Sequence, residues 1–140
     1  MLDHSRHPRN RASLAQADVV RRGKNPQCGD EVEVGIELGG DVLTAVRFRG
    51  RGCAICIASA SMMTEVFSGM NRSQALGLAQ RVKDWLGQDG GEQPPGLPQL
   101  LRSLEVVRAY PVRRRCLSLA WEALLEALNA APAGDGKAIT

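Results

Sequence analysis

Cys28 and Asp30 have types and spacing that suit metal chemistry. They are separated by Gly29, and a glycine between them lets the backbone turn tightly enough for both side chains to enter one cavity. A thiolate and a carboxylate can each bind a borderline metal such as Zn²⁺. The triplet therefore indicates a metal site if further ligands reach the same cavity.

A second group of thiols lies further along the chain. Cys53 and Cys56 lie where a strand passes into a helix, and the unpaired N–H groups and dipole of a helix start stabilise a thiolate. Cys116 is distant in sequence and reaches this place only through tertiary folding. If the helix carrying Cys116 packs beside the helix that follows Cys53, Cys116 completes a four-ligand set.

Three other interpretations of the cysteines stay open at the level of the residues. A buried cysteine such as Cys56 commonly packs as a small apolar side chain. The Cys53-x-x-Cys56 spacing is also that of thioredoxin-like redox pairs, although no βαβ pattern surrounds it here. A purely structural zinc site would use the same ligands, with a full ligand shell and no reactive thiol.

Alternating apolar residues predict the strands that position these side chains. From residue 31 every second side chain is apolar, which is typical of a strand with one buried face. Gly39-Gly40-Asp41 supplies positive-φ residues for a hairpin turn. The second strand has a predicted buried face that consists of Val42, Thr44, Val46 and Phe48.

Hydrophobic spacing and end signals predict the helices. One helix runs from about residue 54 to residue 68 and ends at Gly69. Another begins behind Asn71 or Ser73 as N-cap and ends at Leu86. The remaining predicted helices cover residues 13–21, 100–107 and 114–128, and a Gly- and Pro-rich loop covers 87–98.

These elements predict an α+β fold. The expected architecture is a small antiparallel sheet with helices packed on one face. We expect a single domain over residues 1–130 and a flexible C-terminal tail over 131–140.

Composition and charge argue against nucleic acid and membranes as partners. Eighteen Lys and Arg residues face 15 Asp and Glu residues, for a net charge of +3, and two Trp, one Tyr and two Phe form no platform for base stacking. No apolar run is long enough to span a bilayer. The N-terminal segment contains no secretory signal, which predicts a cytoplasmic protein whose cysteines stay reduced.

Three separated segments of the chain form a recognisable set when they are taken together. They are residues 25–30 (NPQCGD), 52–65 (GCAICIASASMMTE) and 110–116 (YPVRRRC). This set closely resembles the iron–sulfur cluster assembly scaffolds of the IscU/NifU N-terminal family. The resemblance extends from the start of the chain to about Leu128. It implies the α+β fold of SufE- and NifU-like proteins.

Two departures from the IscU pattern resemble the SufU branch of that family. IscU-type scaffolds carry a His immediately before the last cysteine, where this chain has Arg115, and their connection before that motif is shorter than the one containing residues 87–98. Proteins of the SufU branch bind Zn²⁺ and accept sulfur from a PLP-dependent cysteine desulfurase. Carried over position by position, the resemblance implies a ligand set of Cys28, Asp30, Cys53 and Cys116.

The resemblance also implies roles for individual residues. Cys28 is the expected sulfur acceptor. Arg113 matches a basic position of the branch, and we expect it beside the ligands, where it would stabilise the anionic site or the incoming persulfide. Cys56 departs from the SufU pattern, which commonly has Ser there. Its expected role is helix packing, and the alternatives are a further thiolate ligand or a second sulfur relay.

Two alternative functions would use the same residues. An IscU-like scaffold would build a transient [2Fe–2S] cluster on Cys28, Cys53 and Cys116 and pass it to downstream iron–sulfur carriers or apo-proteins. A structural zinc module would hold the metal without sulfur transfer. The SufU-like function is that of a zinc-dependent sulfurtransferase, whereas the other two are not enzymatic.

Overall fold

Three antiparallel strands form the sheet of this computed structural model, which describes residues 4, 6–25, 29–87, 93–108 and 111–130. The strands are β1 (Val19–Asn25), β2 (Asp30–Gly39) and β3 (Val42–Arg51), in the spatial order β1-β2-β3. The predicted hairpin of β2 and β3 is confirmed, with Gly40 at a φ of 66° in the turn. Helices cover this sheet, so the predicted α+β class is confirmed.

The helix predicted over residues 13–21 is wrong. Residues from Val19 onward form β1, which pairs antiparallel with β2 and places Val19 opposite Ile36. The edge of β2 presents unpaired N–H and C=O groups. Satisfying these groups outweighs the weak helical spacing of the apolar residues in this segment.

The predicted buried face of β3 is correct in its second half only. The register shifts between Glu37 and Leu38, because Glu37 pairs with Ala45 whereas Leu38 pairs with Leu43. This β-bulge turns Leu43 into the core and leaves Val42 39% exposed and Thr44 exposed. After the bulge, the buried residues are the predicted Val46 and Phe48.

Five helices follow the sheet in the described part of the chain. They are α1 (Ala54–Phe67), α2 (Arg72–Gly87), α3 (Gln99–Arg102), α4 (Leu104–Arg108) and α5 (Pro111–Ala130). The helix predicted from about residue 54 to residue 68 and its end at Gly69, with a φ of 89°, are confirmed. Asn71 caps α2, since its Oδ1 accepts a hydrogen bond from the N–H of Ser73 at 2.8 Å.

The last helices differ from prediction at their ends. The single helix predicted over 100–107 is two short helices that meet at Ser103. Helix α5 begins at Pro111 rather than Arg114, because proline is well suited to a first helical position. No described helix has the length and apolar character that a bilayer crossing requires. Residues 88–92 of the predicted loop and the predicted tail, 131–140, lie outside the described residues, and the domain limit at residue 130 stays a prediction.

A buried polar link fixes α1 against α5. Ser59 on α1 donates a hydrogen bond to the carbonyl of Leu117 at 2.8 Å and accepts one from Trp121 Nε1 at 3.1 Å. The Trp121 ring also meets Phe67 edge to face, with ring centroids 5.5 Å apart. Because α1 carries Cys53 at its start and α5 carries Cys116, this link sets how far apart the two thiols lie.

Candidate metal centre

Three of the four predicted ligands converge at one end of the sheet. Asp30 is the first residue of β2, Cys53 lies between β3 and α1, and Cys116 lies near the start of α5. One carboxylate oxygen and the two sulfurs all lie within 4.8 Å of one another. Two thiol sulfurs and a carboxylate oxygen at this spacing suit a tetrahedral Zn²⁺ site with one further ligand.

Cys53 owes its position to its place at the start of α1. It is the N-cap residue, with extended backbone angles (φ −67°, ψ 167°), and its Sγ accepts a hydrogen bond from the N–H of Cys56 at 3.4 Å. Its own N–H donates to Asp30 Oδ1 at 3.2 Å. The backbone at the start of α1 therefore holds both a sulfur and a carboxylate of the site.

Asp30 has a buried oxygen that the described protein atoms do not satisfy. The residue is 5% exposed, and its Oδ2 has no hydrogen-bond partner among the described residues. No described Lys, Arg or His forms an ion pair with it either. A buried carboxylate without a counter-charge is costly, so a cation bound beside Cys53 and Cys116 would supply what this carboxylate lacks.

The thiol of Cys116 has a strongly raised pKa. The residue is 4% exposed. Burial raises the pKa of the Cys116 thiol well above its ordinary value, and the interactions of that thiol with Cys53 and Asp30 raise the pKa further. Without a cation, this thiol therefore stays protonated at neutral pH. A bound divalent metal favours the deprotonated form instead, because it stabilises the thiolate.

The structure describes the other predicted site residues only in part, or places them apart from the three converging ligands. Cys28 lies outside the described residues, and only the backbone of Arg113 is described, within α5. Cys56 is fully buried and is not part of the converging group. Arg115 is exposed and pairs with Glu122 at 3.1 Å.

One residue that shapes the site was not predicted. A Cβ atom added to Gly52 would lie 3.0 Å from Cys56 Sγ and 3.1 Å from Asp30 Cγ. A side chain at this position would therefore require Cys56 or Asp30 to shift by a few tenths of an ångström. The signal in the sequence is a glycine immediately before a cysteine that begins a helix.

Comparison with known proteins identifies the family. The sequence pattern described as "NifU-like N terminal domain" matches residues 1–95. The chain belongs to the NifU-like N-terminal domain family. It is 34% identical over 124 residues to the "Zinc-dependent sulfurtransferase SufU" of Bacillus subtilis, which covers 89% of this chain and 83% of that protein. It is 35% identical over 131 residues to the "Iron-sulfur cluster assembly scaffold protein IscU" of Streptococcus pyogenes, which covers 92% of this chain and 80% of that protein.

Solved structures agree with this assignment to the NifU-like family. The crystal structure of a SufU from Fervidobacterium islandicum, described as a scaffold protein for the SUF system, matches with a TM-score of 0.80 and 32% identity, covering 90% of this chain and 91% of that one. A NifU-like N-terminal protein from Brucella abortus has the same fold, with a TM-score of 0.80 at 23% identity, covering 91% of this chain and 88% of that one.

Proposed function

We propose that this NifU-like protein is a SufU-like iron–sulfur cluster assembly protein, which accepts persulfide sulfur from a PLP-dependent cysteine desulfurase at a zinc site. The proposed ligands are Cys28, Asp30, Cys53 and Cys116. The observation that carries the proposal is the convergence of the last three around an unsatisfied carboxylate oxygen. The similarity of this chain to a zinc-dependent sulfurtransferase supports the choice of Zn²⁺ as the metal.

Cys28 is the proposed sulfur acceptor. Bound Zn²⁺ would keep its cysteine ligands deprotonated at neutral pH. The Cys28 thiolate attacks the terminal sulfur of the desulfurase persulfide, the S–S bond of that persulfide breaks, and the desulfurase cysteine leaves as a thiolate. The adjoining Gly29 is exposed and has a φ of 75°, a conformation that glycine adopts without strain.

The other ligands have distinct proposed roles. Asp30 is the weakest ligand because it is a hard oxygen donor among sulfurs. Cys53 and Cys116 would hold the ion, which leaves the Cys28 thiolate to react. Arg113 stays a proposal, as a positive charge near the anionic site.

The scaffold function is the second candidate, and several relatives are named IscU scaffolds. If the protein is a scaffold, the [2Fe–2S] cluster is cargo that it passes to downstream carriers or apo-proteins. A carboxylate ligand would keep that cluster labile. The residue before the last cysteine favours the SufU-like function. It is Arg115, whose guanidinium bonds Glu122 and the Lys24 carbonyl, and it supplies no imidazole. The cytoplasmic location stays a prediction.

Desulfurase turnover tests the proposal. Sulfide or alanine production by a PLP-dependent cysteine desulfurase is measured with the zinc-loaded chain, with the chelator-treated chain and without either. We expect stimulation by the zinc-loaded chain only. Cys28→Ala should abolish it, and Cys56→Ser should leave it largely intact. No stimulation by zinc-loaded wild type, together with cysteines that resist alkylation, would favour a structural zinc module instead.

A further inference from the structure

Cys53 and Cys56 occupy linked positions at the start of α1. Cys53 is the N-cap and Cys56 is the third residue of the helix, and the N–H of Cys56 already donates to Cys53 Sγ at 3.4 Å. Side chains three positions apart on a helix are neighbours, with Cβ atoms roughly 5–6 Å apart. The Cα atoms of residues three apart on a helix lie about 5 Å apart, within the range of about 4.4–6.8 Å that a disulfide needs. A disulfide also needs Cβ atoms about 3.5–4.5 Å apart, so the two Cβ atoms would have to approach each other as it forms.

The Cys56 thiol is directed toward the start of α1. Its Sγ lies 3.0 Å from the position that a Cβ of Gly52 would occupy, so it sits beside the backbone just before Cys53. Cys56 is fully buried, whereas Cys53 is partly exposed. Cys53 is thus the sulfur that a small oxidant reaches first, and Cys56 is a second sulfur behind it.

We propose that Cys53 and Cys56 are a peroxide-oxidisable dithiol, a covalent modification site separate from sulfur acceptance. A peroxide transfers one oxygen atom to the Cys53 sulfur, which becomes a sulfenic acid while the peroxide is reduced to water or an alcohol. The Cys56 thiol attacks that sulfur, the S–O bond breaks, and the hydroxyl leaves as water with the thiol proton. The two thiols lose two hydrogens in total and form one disulfide.

This modification would remove a ligand from the proposed metal centre. A disulfide sulfur is no longer a thiolate donor, so the oxidised chain keeps at most three of the four proposed ligands. Oxidation therefore releases bound Zn²⁺, and reduction by a dithiol reagent restores the capacity to bind it. The proposal goes beyond the proposed function, because the dithiol can form whether or not a desulfurase donates sulfur.

Cys116 is the competing partner for Cys53, because its sulfur lies within 4.8 Å. It belongs to a different helix, whose position is fixed by the buried contacts of Ser59 with Leu117 and Trp121. Cys56 is joined to Cys53 by three peptide units, and its N–H holds the Cys53 sulfur. We therefore expect the linkage within α1 rather than between helices.

Peptide mapping of the full chain after treatment with hydrogen peroxide tests whether Cys53 and Cys56 form a disulfide. Trypsin cleaves after Lys and Arg, which leaves Cys53 and Cys56 together on the peptide 52–72 and places Cys28 and Cys116 on two other peptides. We expect peptide 52–72 to lose two hydrogens in mass, reversibly with dithiothreitol. Zinc release, followed with a chromophoric chelator, should accompany the loss.

Matched variants make the outcome decisive. Cys116→Ser should keep the disulfide within peptide 52–72. Cys56→Ser should lose it and accumulate a sulfenic acid at Cys53 that dimedone traps, and Cys56→Ala provides a second variant if folding differs by circular dichroism. A cross-link between peptide 52–72 and the peptide of Cys28 or Cys116 would overturn the proposal, as would sulfinic acid at Cys53 in wild type without any disulfide. Neither result bears on desulfurase stimulation, which is measured separately.

Discussion

The backbone N–H of Cys53 donates a hydrogen bond to Asp30 Oδ1 at 3.2 Å. This bond joins the start of β2 to the start of α1, so two of the proposed ligands hold each other before any ion binds. Oδ1 accepts this bond, whereas Oδ2 has no hydrogen-bond partner among the described residues. The site is therefore partly preorganised for a cation.

Asp30→Asn separates the charge of this carboxylate from its hydrogen bond. Asn keeps an oxygen for the Cys53 N–H but replaces the unsatisfied oxygen by an amide NH₂. We expect zinc affinity to fall by at least about tenfold, since changes even beside metal ligands cost about 10–100-fold. The metal-free variant should be no less stable than wild type, because a buried unpaired charge is removed.

Chelator competition and urea unfolding of the metal-free chain measure the two effects of Asp30→Asn. Asp84→Asn is the matched control, since Asp84 is exposed on α2 and accepts a hydrogen bond from Gln80 at 3.0 Å. It should change stability by less than about 0.5 kcal/mol. Wild-type zinc affinity in Asp30→Asn would show that Asp30 is not a ligand.

Ser59→Ala should loosen the two helices that carry Cys53 and Cys116. The change leaves Trp121 Nε1 without its acceptor in a fully buried position. We expect a loss of about 1–3 kcal/mol in the free energy of unfolding. Ser118→Ala is the control, because the hydrogen bonds of Ser118 to described residues stay within α5, to Arg115 and Glu122. Equal losses in urea unfolding of both variants would contradict the role given to Ser59.

Gly52→Ala should crowd the site. The new Cβ would meet Cys56 Sγ at 3.0 Å and Asp30 Cγ at 3.1 Å, and overpacking of this kind costs about 1–3 kcal/mol. Gly87→Ala is the control, since no atom of the described residues lies within 4 Å of a Cβ there, apart from its chain neighbours and the backbone of its own helix. Thermal unfolding and zinc titration of both variants are the measurements. Unchanged zinc affinity in Gly52→Ala would mean that the site tolerates the added methyl group.

Zinc binding should release protons and strengthen as pH rises. Burial raises the pKa of Cys116, so in the metal-free chain this thiol is protonated at neutral pH and must lose its proton to bind Zn²⁺. Cys116→Ser should release about one proton fewer. Titration calorimetry in two buffers of different ionisation enthalpy counts the protons. The same count for wild type and variant would exclude Cys116 as a thiolate ligand.

The hairpin and α1 could be predicted because their signals are local. The alternation of Val32, Val34 and Ile36 and the glycine at residue 69 belong to single elements. Strand β1 could not be predicted in this way, since residues 19–25 become a strand only by pairing with β2. The β-bulge before Leu43 likewise depends on how two strands align.

The candidate site also has features that could be predicted from the sequence and features that depend on the folded chain. The residue types indicated a metal site that Cys116 would complete if the two helices packed together, and the family resemblance assigned the ligands as Cys28, Asp30, Cys53 and Cys116. The spacing of the described ligand atoms could not be predicted, because it depends on the bond between Ser59 and Trp121, which are 62 positions apart. The fit of Gly52 against Asp30 and Cys56 also exists only in the folded chain.

X-ray absorption at the zinc edge of the zinc-loaded full chain tests the ligand set most directly. Three thiolates and one carboxylate predict three sulfur neighbours at about 2.3 Å and one oxygen at about 2.0–2.2 Å. Cys116→Ser should reduce the sulfur count by one, and Cys56→Ser should leave it unchanged. A shell of four sulfurs, or a sulfur count that falls with Cys56→Ser, would contradict the proposed centre.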